Sequence, residues 1–400
     1  MPTHDPLKNL SALRDHLAAD DKPIAFLFGA GTSCSVKAIP PEPVDGPQPP
    51  EPLIPAVEEL TVKCAEAVAD LGEVFRAAWK AIEEECGAIN QDANVENVLS
   101  RVRMKLDAIG GADKLVGLSE GDLKRMEATI KSTIGGLANP EDEALPPVMP
   151  HQDLAKWIAR IPRPQPVEIF TTNYDILIER ALEADQCLFF DGFVGSVRPF
   201  FRMANESPPP WTRVWKIHGS VNWKSDTRDG RRCIIRVPPN SSGEMILPSH
   251  HKYDEARKQP YVALLDRLGY CVSREDAIVV TVGFSFSDEH INSVIFEALD
   301  RSRRSQVFAL TFDEFPISHS LIRTAIRQPK LSVFGPRTAV ISGQQGEWRL
   351  VEPVDNKTAA FMDIAFDSDA VPEKDAAAVT GRMMLGDFNR FCKSLASMEV

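Results

Sequence analysis

Four short polar clusters each follow an apolar run, and each holds groups that could bind or react. Gly29-Ala30-Gly31-Thr32-Ser33 comes after Ile24–Phe28. Glycines let a backbone turn sharply and approach a phosphate, whose charge N–H groups and a hydroxyl then hold. A G-x-G-x-x-G fingerprint would want a third glycine at 34, where the chain has Cys34, so a plain strand-to-helix turn accounts for the residues equally well. Thr171-Thr172-Asn173-Tyr174-Asp175 supplies two hydroxyls, an amide and a carboxylate. These types serve as helix caps, while an amide such as that of Asn173 can also orient a ribose or a water by donating and accepting at once. His218, in Ile217-His218-Gly219-Ser220, is a lone histidine at a strand end and could take a proton near neutral pH. Gly283-Phe284-Ser285, followed by Ser287 and Asp288, could let a nucleotide approach at Gly283 and hydrogen-bond it at Ser285. Ser287 or Asp288 could equally cap the next helix.

The elements that must position these clusters alternate between strand and helix. A helix is expected over Leu7–Ala19, then a strand over Ile24–Phe28. Further strands are expected at Val167–Phe170, Val214–Ile217, Ala277–Val282 and Gln306–Leu310. Helices follow through Ala184, from about Asp288 to Arg301, and near Ile317–Ile326. This alternation predicts an α/β fold with a mostly parallel sheet and helices on both faces. Ligands bind such sheets at the carboxyl ends of the strands, so clusters distant in sequence can converge on one crevice. Pro40–Pro55 reads as an irregular, proline-dense loop. From 56 to about 138 apolar residues recur at three and four spacing, as in Val95, Val98, Leu99, Val102 and Leu106, which predicts four or so helices. Another short helix is expected at His151–Arg160. After Lys330 the pattern becomes short strands and a final helix near Ala376–Ser397. The expected division is therefore residues 1–330 as one domain carrying a helical insertion at 56–160, and 331–400 as a small C-terminal appendage.

Composition removes several classes. The net charge of −12 disfavours a protein that coats nucleic acid. The arginines at 228, 231, 232 and 236, and at 301, 303 and 304, read as solvated surface. Seven cysteines, none in a CxxC pair, suggest neither a disulfide framework nor a zinc site, and no metal is expected. The polar N-terminus lacks a signal peptide and no apolar run is long enough to span a membrane, so a cytoplasmic location is expected. His250, His251 and His290 read as solvent-exposed. HExxH, GxSxG and GxxxxGK[ST] are absent, leaving zinc-peptidase, serine-hydrolase and P-loop readings without support.

The order of the four clusters, in the phrases FLFGAGTS, IFTTNYDILIERAL, KIHGSVNW and VVTVGFSFSDEHI, resembles the sirtuin family over roughly residues 20–312, and within it the prokaryotic antiphage-defence branch. The resemblance implies a Rossmann-like fold that binds NAD as substrate. It places Gly29, Ala30, Gly31 and Ser33 along the NAD pyrophosphate, with Thr172 among the binding residues. Asn173 falls beside the nicotinamide ribose, Asp175 near the nicotinamide end, His218 as general base, and Gly283 and Ser285 on the adenosine side. Family deacylases continue from the glycine motif with Gly-Ile-Pro-Asp-Phe-Arg. Here Ala38-Ile39-Pro40 runs into Pro41-Glu42, and the paired zinc cysteines after His-Gly are missing. The resemblance thus implies an NAD hydrolase releasing nicotinamide and ADP-ribose in antiphage defence. The alternatives are a non-enzymatic NAD or ADP-ribose sensor, or an NAD-dependent deacylase. It further implies a homo-oligomer, a large ring in the relatives that partner a HerA-type hexameric ATPase.

Overall fold

Every residue of Ile24–Phe28 (β1) is buried because alternate side chains enter opposite cores, Ile24, Phe26 and Phe28 on one side and Ala25 and Leu27 on the other. A strand apolar at every position belongs in a sheet covered on both faces. Glu168–Thr171 (β2), the two-residue Phe189–Phe190 (β3), Thr212–Lys216 (β4), Ile278–Val282 (β5), Gln306–Leu310 (β6) and Leu331–Phe334 (β7) join it. These seven strands are parallel, in the spatial order β7-β6-β5-β1-β2-β4-β3. The order reverses at β1, with β2 and β4 built outward on one side and β5, β6 and β7 on the other. The crevice beyond the carboxyl ends of β5, β1 and β2 is therefore the topological switch point of a Rossmann-like fold. The computed structural model describes residues 2–38, 51–89, 91–111, 113–203, 211–228, 231–245, 259–351, 359–370 and 378–398. Residues 39–50, with Ile39-Pro40 and Pro41-Glu42, and His250-His251 lie outside them.

Helices pack both faces as their apolar stripes dictate. Pro6–Ala18 (α1) begins at an Asp5 N-cap and turns Leu10, Leu13 and Leu17 into the first core. The five-residue turn Ala30–Cys34 (α2) leaves the end of β1. Four helices then follow, Val57–Ala69 (α3), Glu73–Ala88 (α4), Val95–Ala108 (α5) and Glu120–Leu137 (α6), and they form a core of their own around Trp79, Ile82, Leu99, Met126 and Ile130. Ser119 and Asp122 close α6 with a reciprocal capping box. Pro150–Arg160 (α7) and Leu177–Ala184 (α8) return to the first core through Leu154, Trp157, Ile178 and Leu182. Tyr261–Ser273 (α9), Glu289–Arg301 (α10) and Ser320–Arg327 (α11) cover the second.

Beyond β7 the chain stays in the same sheet. Thr338–Ile341, Gln344–Leu350, Val379–Met383 and Phe366–Ser368 continue it antiparallel, and Thr3–His4 pairs in parallel with Gln344–Leu350, giving twelve strands among the described residues. The final helix is Phe388–Ala396 (α12), shorter than the 376–397 expected. Its anticipated first half is the strand Val379–Met383. Val379 and Thr380 favour a strand, Gly381 lies so close to Phe366 that a Cβ would stand 2.3 Å from its ring, and Asp387 caps the helix that follows. A second β region had no counterpart in the sequence reading. Phe193–Val194, Phe200–Phe201, Trp223–Arg228 and Arg231–Arg236 make a small antiparallel sheet, and Gly219–Ser220 pairs with Glu244–Met245. Asp229-Gly230, between two runs, was the hairpin signal available for it.

Candidate functional site

The four clusters meet at the switch point. The turns after β1 and β5 touch backbone to backbone, with Gly29 N–H donating to Val282 O (3.2 Å) and Gly31 N–H to Gly283 O (3.0 Å). A Cβ on Gly29 would sit 2.4 Å from Gly283 O, and one on Gly283, whose φ is +64°, would sit 2.7 Å from Thr32 N. Glycine is required there by close approach and by left-handed backbone alike. The N–H groups of Gly29 and Gly31 are thus used within the protein. Ala30, Gly31 and Ser285 are exposed at the carboxyl ends of β1 and β5, while Thr32 and Ser33 are buried beneath the turn.

Asn173, 8 % exposed, sits against that turn. Its Nδ2 lies within hydrogen-bond distance of Gly29 O (3.1 Å), Thr32 Oγ1 (2.9 Å) and Ser33 Oγ (2.7 Å). Two hydrogens face three acceptors, so the donor end of the amide is committed to the glycine turn. Ser33 Oγ donates onward to Asp175 Oδ2 at 2.5 Å, and Asp175 Oδ1 accepts from Leu177 N–H at 3.0 Å. Both carboxylate oxygens of Asp175 therefore hold loop and helix in place. Thr172, half-buried, donates its N–H to Phe28 O at 3.1 Å and ties the second cluster to the end of β1.

His218 follows β4 and is 8 % exposed. Its Nε2 stands 3.3 Å from Oδ2 of Asp288, at the end of the loop that follows β5. From the sequence Asp288 is expected only as a cap of the following helix. It does cap α10, Oδ1 accepting from His290 N–H (3.0 Å) and Ile291 N–H (3.4 Å), and the other oxygen reaches the histidine. His290 is half-buried on the first turn of α10 rather than exposed. Ser285 Oγ and Ser287 Oγ lie 2.7 Å apart in the same loop.

Two further groups support the second cluster and were missed. Lys216, buried at the end of β4, donates through Nζ to Asp175 O and lies 3.3 Å from Glu179 Oε1. Burial pushes the Glu179 carboxyl upward, offset in part by Lys216. A lysine inside Val214-Trp215-Lys216-Ile217 was the visible signal, since a buried ammonium needs a partner. His151, on α7, is 2 % exposed with its ring 4.9 Å from that of Phe388. Tyr174 of the second cluster packs on the helical module, and Gly135 of α6 lies so close to Ser241 that a Cβ would stand 2.3 Å from its carbonyl oxygen. The basic clusters are largely ion-paired: Arg232 with Glu244, Arg236 with Asp191, Arg304 with Glu275 and Asp276. Among the described residues no group of three or more His, Cys, Asp or Glu could hold a metal ion, and no helix is long and apolar enough to cross a membrane.

Residues 167–331 match a family model described as SIR2-like domain. That segment contains Thr172 through Asp175, His218 and the Gly283–Asp288 loop. The match supports a place in the sirtuin-like family, whose domains use NAD, and agrees with the Rossmann-like architecture. No curated protein matches the chain.

Proposed function

We propose that this chain is an NAD glycohydrolase that cleaves the nicotinamide–ribose bond. The observation that carries the reading is the convergence of four strand-end clusters at one switch point, with Asn173 and His218 nearly buried there and Ala30, Gly31 and Ser285 exposed. The missing side chains at Gly29, Gly31 and Gly283 let the turns after β1 and β5 meet backbone to backbone, and a strand-end switch point of this kind is where such folds take a dinucleotide.

The chemistry follows from the substrate. The C1′–N bond breaks with its electron pair leaving on nicotinamide, whose ring loses its positive charge, so no general acid is needed. The ribose passes through an oxocarbenium-like state, as in glycoside hydrolysis. Water adds to C1′, and His218 takes the proton that the water sheds. With Nδ2 of Asn173 committed to the glycine turn, its Oδ1 is the end of the amide left to orient a ribose hydroxyl or the attacking water. Asp175 and Ser33 keep Asn173 in register, and Thr172 fixes the loop to β1. Gly29, Ala30, Gly31 and Ser33 line the pyrophosphate side, and Gly283 and Ser285 the adenosine side.

An unrestrained enzyme of this kind would exhaust its own cell's NAD. The reading therefore extends to a cytoplasmic homo-oligomer in antiphage defence, gated by a partner such as a HerA-type ATPase, which rests on the sequence resemblance. The test is to incubate the purified chain with NAD, alone and with such an ATPase, and to separate the products. Nicotinamide and ADP-ribose are expected, and Asn173→Ala or His218→Ala should abolish turnover with the fold intact by circular dichroism. Undiminished NAD loss with both variants would sink the assignment. Tight NAD binding with no cleavage under any condition would favour the sensor reading.

A further inference from the structure

His218 and Asp288 reach each other from loops that the sheet keeps well apart. Their strands, β4 and β5, have β1 and β2 between them, three strand spacings, or about 14 Å. Both loops must lean over the ends of β1 and β2 to meet, and each is built to do so. On the His218 side, Gly219 has φ +84°, and a Cβ there would lie 2.1 Å from Glu244 O, so the turn after the histidine is pinned against the Glu244–Met245 strand. On the Asp288 side, Phe286 has φ +55°, a left-handed backbone that a bulky residue rarely adopts. Burial and two contacts hold it. The Phe286 ring is buried, it meets Phe284 edge-on at 4.9 Å, and its carbonyl accepts from Asn292 Nδ2 at 2.7 Å. Strain maintained by its surroundings at a site is a mark of a fixed orientation. Its product is a nearly buried carboxylate facing an equally buried imidazole at 3.3 Å.

We propose that Asp288 is the positioning residue for His218. Its Oδ2 accepts from Nε2–H, which sets the tautomer with the basic lone pair on Nδ1, and it stabilises the imidazolium once the proton has arrived from water. The same carboxylate caps α10 through Oδ1, so one side chain ties the orientation of the base to the start of a helix. This inference rests on the NAD-cleaving reading for its kinetic consequence, and on the pair alone for the tautomer.

Asp288→Asn separates the two roles. Asparagine caps a helix as well as aspartate does, but with its oxygen on the α10 backbone it turns an N–H toward Nε2 and favours the opposite tautomer. The expected result is a fall in kcat of about 10²-fold or more, a KM for NAD within about twofold, and an unchanged Tm. In ¹⁵N-histidine spectra, with the His218 signals assigned by their loss in His218→Gln, the proton should move from Nε2 to Nδ1. An Asp288→Asn protein with wild-type kcat and an unmoved His218 tautomer would overturn the proposal. If the wild-type chain cleaves no NAD at all, the hydrolase reading fails, while the nitrogen spectra still decide the pair.

Discussion

His151 shows how burial alone retunes a side chain. It is almost wholly enclosed beside Phe388, and burial pushes its pKa down to about 4, with Asp175 pulling it part of the way back. Its ordinary value is 6.5, so above that pH folded and unfolded chains both hold it neutral and its contribution is complete. As the pH falls from 6.5 toward 4 the unfolded chain gains a proton that the folded chain refuses, and stability drops by up to about 3 kcal/mol. His151→Leu should therefore lose markedly less unfolding free energy than the wild type between pH 7 and 4.5 in urea titrations. Equal losses in the two proteins would show that another group carries the acid sensitivity. At this scale Asn173, His218 and the glycines were legible because each follows a strand whose apolar run is unmistakable. The partnership of His218 with Asp288 was not, because the residues lie far apart in sequence and Asp288 has a local capping role that accounts for it alone. The same limit hid the buried chain of hydrogen bonds from Asn173 through Ser33 to Asp175, which joins residues from two different strand ends.

The element that bears most on the glycine turn comes from near the other end of the sequence. Phe388, at the start of α12, packs edge-on against Phe28 of β1 at 5.1 Å and against His151, while Asn389 Nδ2 donates to Ser35 O at 3.1 Å, just past the turn. α12 also packs along α7 through Phe391 and Leu395 in the first core. Phe388→Ala would leave a hole under β1 and should cost about 3–5 kcal/mol. The measurement is the shift of the denaturant midpoint at constant slope, and a shift equivalent to less than about 1 kcal/mol would mean that α12 is an ornament. Strands β1, β2, β4, β5 and β6, with the helices α1, α8 and α10, were legible because length, periodicity and flanking glycine or acid agree there, whereas Phe189–Phe190 (β3) and Tyr261–Ser273 (α9) were not anticipated. The small sheet was hidden because Trp223–Arg236 mixes charge into both strands, and its core is an aromatic group, Phe193, Phe201, Trp223 and Tyr261, gathered from three stretches of chain.

For the molecule as a whole, the helical module is more than an adjacent bundle. α6 presses at Gly135 on Ser241, and the chain runs on from there into Glu244–Met245, whose pairing with Gly219–Ser220 backs the His218 turn. Gly135→Val should prise that loop away. Hydrogen exchange is expected to rise across 219–245 and turnover to fall, with α3–α6 still protected by their own core. Unaltered exchange at 219–245 would uncouple the module from the site. The helices of this module were legible from their periodicity, but its docking was not, since the contact is made where side chains are missing.

The pairing of β1 with β5 has a consequence in time. Ile24 lies beside Ile278 although roughly 250 residues of chain separate them, a distant contact of the kind that forms late. A ribosome releases the Gly29–Ser33 turn early and the Gly283–Asp288 loop much later. Until that loop emerges, the glycine turn has no wall to lean on and His218 has no carboxylate. On the hydrolase reading, a half-made chain would lack an assembled site, and any restraint on the finished protein would be needed only from the moment the sheet closes.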